Sequence, residues 1–309
     1  MSLMAAIAKI YMKKTKLRQF FSLPMDELII EAKRRNGENT TCTLPTKEQT
    51  DCNYIDHLYL ESKYHCYEIN ELDKRRDKAV LFIYGGGMVT APRLGALQNA
   101  EKMAKLTGRD AWFPFYPLAY EGSVTDVTKM VHEVYVDMVG IYGANNIVIY
   151  SYSSGSNSAM SMLLYDKEQE NPVGMPEKLI CISPGCLPVT EEEKKIAETL
   201  DKKDIIIPAK YINETCPAFK SMNPGDPDYM YSPQIADFTG FPETWFFYTD
   251  SEVLFSNYES FKKKFNECNV PAHFNVRKNM FHTYCTVDIF PEAKVDYNRI
   301  IGIVKGDND

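Results

Sequence analysis

The 309-residue chain contains no uninterrupted run of 18 apolar residues, so its sequence offers no membrane-spanning helix. It has no basic excess: 35 Lys+Arg stand against 42 Asp+Glu, a formal net charge of −7. That balance withholds the electrostatic footprint of a nucleic-acid binder. None of its eight cysteines forms a C-x-x-C pair, which removes the usual thiolate zinc site and dithiol redox motif. The sequence also lacks internal repeats. The pair His132-Glu133 begins a zinc-protease motif, but position 136 is Val136 where the second histidine is needed. No metal site is therefore expected. The apolar run Met4 to Ala8 is too short for a secretory signal, so the chain reads as cytoplasmic with reduced thiols. Nothing in it speaks to an oligomeric state.

What is present is an ordinary globular composition, 44% hydrophobic and 25% charged, in a chain long enough to bury a large core. Residues 1–50 lack a β pattern and read as one or two amphipathic helices followed by a polar loop, a flank or cap. This segment is basic, and a basic amphipathic helix can lie on a membrane surface. A helix covering its own domain is the preferred reading, with no membrane partner. From residue 51 onward, Tyr54 to Ile69 suits two antiparallel edge strands. Short apolar runs then alternate with helical patterns: Ala79–Tyr84, Ala111–Phe115, Asn146–Tyr150, Lys178–Ser183, Thr244–Tyr248 and His273–Val276. Alternation of that kind predicts an α/β fold with a mostly parallel sheet between helices. Val127, Met130, Val131, Val134, Met138 and Tyr142 recur at helical spacing, and a second helix is expected from just after Ser153 through Leu164. The proline-rich stretch at about 186–240 breaks the rhythm and reads as an insertion within a 51–309 domain.

Three stretches follow strand ends, where open α/β sheets bind ligands. Tyr84-Gly85-Gly86-Gly87 lets backbone N–H groups approach a ligand, and Thr90 in place of a third fingerprint glycine argues against a dinucleotide site. Ser151-Tyr152-Ser153-Ser154-Gly155 has the small-x-Ser-x-Gly form of a nucleophile elbow, with Ser153 at its centre. Asn279-Met280-Phe281-His282 offers a base whose pKa suits proton transfer near neutrality. Between elbow and histidine, a strand ends in Asp250 and Glu252, either of which can serve as an orienting acid. The order Ser, acid, His is that of α/β-hydrolase triads.

On these motifs the chain resembles the α/β-hydrolases over residues 76–303, and most of all the hormone-sensitive-lipase-like esterases. Tyr84 to Gly87 parallels H-G-G-G, Tyr116 to Glu121 parallels Y-R-L-A-P-E, and Ser151 to Ala159 parallels G-D-S-A-G-G-N-L-A. Ser232-Pro233, Glu252-Val253-Leu254 and Met280-Phe281-His282 parallel S-P, [DE]-x-L and M-x-H. Tyr84 stands where the family has histidine, and Ser151 where it has its first glycine. The resemblance implies a carboxylic ester hydrolase without a cofactor, with an N-terminal helical cap, and it selects Glu252 as the acid; the triad chemistry then predicts hydrolysis of a small-molecule ester through an acyl-enzyme. The expected site is Ser153, Glu252 and His282, with Gly85, Gly86 and Ser154 as oxyanion donors and Tyr84 and Tyr152 near the substrate. Tyr120, Tyr152, Phe255, Phe281 and Tyr284 are expected to narrow the pocket for short acyl groups. An amidase or arylformamidase, or an inactive hydrolase-fold binding protein, is the rival reading.

Overall fold

A computed structural model describes residues 2–37, 42–71 and 75–307. The N-terminal segment forms three helices, α1 (Leu3–Lys14), α2 (Leu17–Phe21) and α3 (Met25–Asn36), where the sequence suggested one or two. Two local features make the breaks. Lys16 takes a left-handed conformation ahead of α2, and Pro24, which has no N–H to extend a preceding helix, stands ahead of α3.

The chain then enters the sheet through the hairpin of β1 (Asn53–Tyr59) and β2 (Tyr64–Asn70), and continues β3 (Ala79–Ile83), α4 (Leu94–Thr107), β4 (Asp110–Pro114), α5 (Val124–Tyr142), β5 (Ile147–Tyr152), α6 (Ser154–Lys167) and β6 (Lys178–Ile182). After β6 come α7 (Glu191–Leu200), a π-helical turn Tyr211–Thr215 and α8 (Cys216–Met222). β7 (Glu243–Thr249), α9 (Tyr258–Glu267), β8 (Ala272–Arg277) and α10 (Pro291–Lys305) complete the order. The eight strands form one sheet in the order β1-β2-β4-β3-β5-β6-β7-β8. The β1–β2 and β2–β4 pairs are antiparallel, and every other pair is parallel.

β3, β4 and β5 are buried almost throughout, which is why they read as continuous apolar runs rather than alternating ones. Helix α5 starts at a capping box in which Ser123 and Asp126 satisfy each other's backbone N–H, and it buries its apolar stripe from Val127 to Tyr142. Residues 186–240 run between β6 and β7; their helix α7 opens with a second such box, Thr190 with Glu193. None of the eight cysteines forms a disulfide among the described residues, and five of them are buried.

Candidate active site

The C-terminal ends of the parallel strands converge on Ser153. This residue has φ 54°, ψ −131°, a strained backbone for a residue with a Cβ, held where β5 meets α6. A Cβ on Gly155 would lie 2.1 Å from the Tyr84 carbonyl oxygen, so strand and helix cross here only with glycine. Ser151 fits at the other small position because its buried hydroxyl is satisfied, donating to the Ile180 carbonyl at 2.8 Å with the Ser156 hydroxyl 3.1 Å away. Among the described residues, ten non-glycines have positive φ, and four of them, Met88, Ser153, Ser183 and Thr283, lie in this region.

His282 lies between the elbow and a buried carboxylate. Its Nε2 is 2.9 Å from Ser153 Oγ, and its Nδ1 is 2.7 Å from Glu252 Oε2. The other carboxylate oxygen, Oε1, accepts from the Ser183 hydroxyl at 3.0 Å and the Thr249 N–H at 2.9 Å. Ser183 Oγ also receives the Thr283 N–H at 3.2 Å, tying the acid to the histidine loop. Asp250 stands apart from this set: its Oδ1 accepts the Asn279 N–H at 2.7 Å and so fixes the turn leading to His282. A further buried acid supports the assembly. Asp204 Oδ1 accepts the N–H groups of Ile206 and Ile207, and its Oδ2 accepts that of Val253 at 2.9 Å, directly after Glu252. Burial raises the Asp204 pKa, opposed by the nearby His282 and by those three amides.

The glycine loop differs from expectation in its donors. The Gly86 and Met88 N–H groups both point to Ser154 Oγ, at 3.1 and 3.3 Å. A Cβ on Gly85 would meet the Tyr152 carbonyl oxygen at 2.3 Å and the Ser153 Cβ at 2.5 Å. Gly85 is thus a packing glycine. The N–H groups of Gly87 and Ser154 have no hydrogen-bond partner among the described residues, and both residues line the cavity with Ser153. The tyrosines expected near the substrate do not line that cavity. Tyr84 is buried with its ring stacked on Tyr116 at 4.4 Å, and Tyr152 packs edge-on to Phe82.

The cavity in front of Ser153 is apolar and narrow, with about 30 Å³ open to the centre of a water-sized sphere. Its walls come from Leu187, Ile207, Tyr211, Ile212 and Phe219 of the β6–β7 connection, and from Leu254. Tyr120, Phe255 and Tyr284 are engaged elsewhere: Tyr120 bonds Asn36, Phe255 stacks on Tyr258, and Tyr284 bonds Asp296. Cys216 also lines the cavity, but burial pushes its thiol up to about 12, so it holds no thiolate near neutrality. Among the described residues, Asp51, Cys52 and Glu101 come close enough to share a cation, yet the Lys105 ammonium already bridges both carboxylates.

A family profile described as alpha/beta hydrolase fold matches residues 80–286. The chain belongs to the alpha/beta hydrolase fold family. Among curated relatives of the chain, an esterase of Acinetobacter venetianus is 28% identical over 185 residues, 58% of each chain. A triacylglycerol lipase of Mycobacterium tuberculosis is 26% identical over 155 residues, half of this chain and 33% of the lipase. The chain therefore spans less than two thirds of the length of either relative. An esterase from the bacterial hormone-sensitive lipase family superposes with a TM-score of 0.78 at 18% identity, with 99% of both chains covered, and shares the fold of this chain. EstE5, soaked with p-nitrophenyl butyrate, gives the same TM-score at 16% identity and the same coverage.

Sequence motifs bring Ser153, Glu252 and His282 into one site, but Ser183, Asp204 and Gly87 are added by the structure. Gly87 lies in the same glycine run as Gly85 and Gly86, and residue type does not distinguish the three. Ser183 and Asp204 carry no motif. Their only signal is position, Ser183 closing a strand and Asp204 standing directly before the apolar run Ile205-Ile206-Ile207 that precedes Pro208.

Proposed function

We propose that the hydrolase cleaves carboxylic esters through an acyl-enzyme formed on Ser153. The observation that carries this reading is the unbroken hydrogen-bonded line from Glu252 through His282 to Ser153 Oγ. In the first half-reaction, Ser153 Oγ attacks the ester carbonyl carbon while His282 Nε2 takes its proton. Glu252 accepts the Nδ1–H hydrogen bond, fixes the tautomer and stabilises the imidazolium. The proton passes to the leaving alkoxide as the carbon–oxygen bond breaks, releasing the alcohol. Water then attacks the acyl-enzyme with His282 as base, releasing the acid and restoring Ser153.

The carbonyl oxygen becomes an oxyanion in both steps and requires preorganised donors. The unpartnered N–H groups of Gly87 and Ser154 fill that role in this reading, with Ser154 Oγ holding the Gly86 and Met88 amides so that the loop keeps its shape. Tyr211 donates its hydroxyl to the Gly87 carbonyl, so the 186–240 connection, acting as part of a cap, supports the same loop. The narrow apolar cavity favours short acyl groups, and the walls that narrow it are those of this connection. No cofactor takes part.

The test is turnover of a p-nitrophenyl ester series alongside matched anilides. The reading expects ester hydrolysis lost in Ser153→Ala, with kcat/KM falling as the acyl chain lengthens. Faster cleavage of the anilides would instead favour an amidase.

A further inference from the structure

Helix α1 turns its apolar side to solvent. Ala5 is buried and Met12 packs against the core, whereas Met4, Ile7, Ile10 and Tyr11 are 53, 57, 56 and 68% exposed. A helix that only covers its own domain shows the opposite pattern, apolar inward and polar outward. Between α1 and the His282 loop runs an apolar groove whose far wall includes Phe281, Val287 and Ile289, the last 62% exposed, and His282 itself. The exposed ridge and the triad base thus border the same groove.

The charge around this ridge is of one sign. Residues 2–25 include five basic side chains and no acid, on a chain whose net charge is −7. Arg18 is held by Asp201, and Lys9 is half-buried near Asp250. Lys13, Lys14 and Lys16 are exposed and have no ion-pair partner among the described residues. Two acids beside α1 are engaged already, Glu292 by Ser2 and Asp250 by the Asn279 amide, and of the two that line a groove with Lys16, Glu31 is paired with Arg34 and Arg35 while Glu27 makes no ion pair among the described residues. An apolar helical face flanked by free lysines matches the chemistry of an anionic bilayer surface, which accepts apolar side chains at the acyl boundary and draws lysines to its phosphates.

We propose that α1 docks the hydrolase on an anionic lipid surface, with Met4, Ile7, Ile10 and Tyr11 entering the headgroup boundary and Lys13, Lys14 and Lys16 facing the phosphates, so that a lipid-borne ester enters the groove beside His282. Docking stands on the helix alone; delivery of an ester rests on the proposed hydrolysis. The experiment is flotation of the full chain with vesicles of equal parts phosphatidylcholine and phosphatidylglycerol, against vesicles of phosphatidylcholine alone. The wild-type chain should float with the mixed vesicles and partition at least about tenfold less to the neutral ones. Lys13→Glu combined with Lys14→Glu should weaken binding to the mixed vesicles by about tenfold or more and flatten its salt dependence. Ile10→Ser should weaken it by about tenfold as well. Both variants should keep the wild-type unfolding temperature and the wild-type rate on a water-soluble ester. Ser153→Ala should float as the wild type does, which separates failure of docking from failure of hydrolysis. Absence of flotation, or equal partition to the two vesicle types, would overturn the proposal. So would light scattering that shows a dimer dissociated by Ile10→Ser, which would assign the face to a second copy of the chain.

Discussion

Two buried glutamates at opposite ends of the molecule each hold a histidine, and they do different things. In β2, Glu68 meets His57 Nε2 at 2.9 Å, while Arg75 makes a two-pronged pair with the same carboxylate at 2.6 and 2.8 Å. Asn70 adds a hydrogen bond, and the His57 ring stacks on Trp112. Beyond β7, Glu252 meets His282 Nδ1 at 2.7 Å, but its other donors are a hydroxyl and a backbone amide, both neutral. No lysine or arginine pairs with Glu252 among the described residues. The Glu68 charge is answered by a guanidinium, whereas in the proposed mechanism the Glu252 charge is left to answer the imidazolium formed when His282 takes the Ser153 proton. A buried acid–histidine pair is therefore no mark of catalysis by itself. His132 with Asp166 makes the same point: that carboxylate also accepts the amides of Val173 and Gly174 and acts as a loop anchor.

Substitutions can pull this contrast apart. The largest loss is expected for Ser153→Ala, on the order of 10⁶ in kcat by analogy with removal of a protease nucleophile. Glu252→Gln should follow, losing about 10⁴ in kcat because the amide supports the wrong tautomer and leaves the imidazolium unanswered. Asp204→Asn removes a carboxylate from the amide after Glu252; kcat should fall by about tenfold with KM little changed, the split that separates positioning from substrate binding. Glu68→Gln should leave kcat per folded molecule unchanged while lowering stability by about 1–3 kcal/mol, read by denaturant unfolding. A kinetic defect in Glu68→Gln as large as that of Glu252→Gln would erase the distinction.

The same contrast has a pH signature. Burial alone would raise the Glu68 pKa, but hydrogen bonds from His57, Arg75 and Asn70 outweigh it and hold the carboxyl at about 2, below its ordinary 4.5. A carboxyl lowered on folding contributes stability that is complete above its unfolded pKa and is lost as pH falls toward the folded one. The unfolding-temperature gap between wild type and Glu68→Gln should therefore be full at neutral pH and shrink between about pH 4.5 and pH 2.

The sheet was legible because strands buried on both faces must be apolar throughout, and Ala79–Ile83 and Ile147–Tyr150 read as such without alternation. Ser153, Glu252 and His282 were legible because each follows a strand with a neighbour constrained by packing, Gly155 most of all. The oxyanion donors were less so. They are backbone amides, and residue type alone does not tell which of three adjacent glycines keeps its N–H free. Tyr84 misled for a related reason, since a polar tip beside a site suggests contact, while its ring is held inward by stacking on Tyr116. The walls from Leu187 to Phe219 and the support from Asp204 depend on how an aperiodic connection folds back over the sheet, a long-range fact with no local pattern to announce it.

Covalent trapping tests most directly whether Ser153 is a nucleophile activated by His282 and Glu252. After reaction with a fluorophosphonate, peptide mass mapping should place a single adduct on Ser153 in the wild type, strongly slowed in Glu252→Gln, unchanged in rate in Glu68→Gln and absent in Ser153→Ala. An adduct on Ser151, Ser154 or Ser156, or labelling that survives in Ser153→Ala, would contradict it.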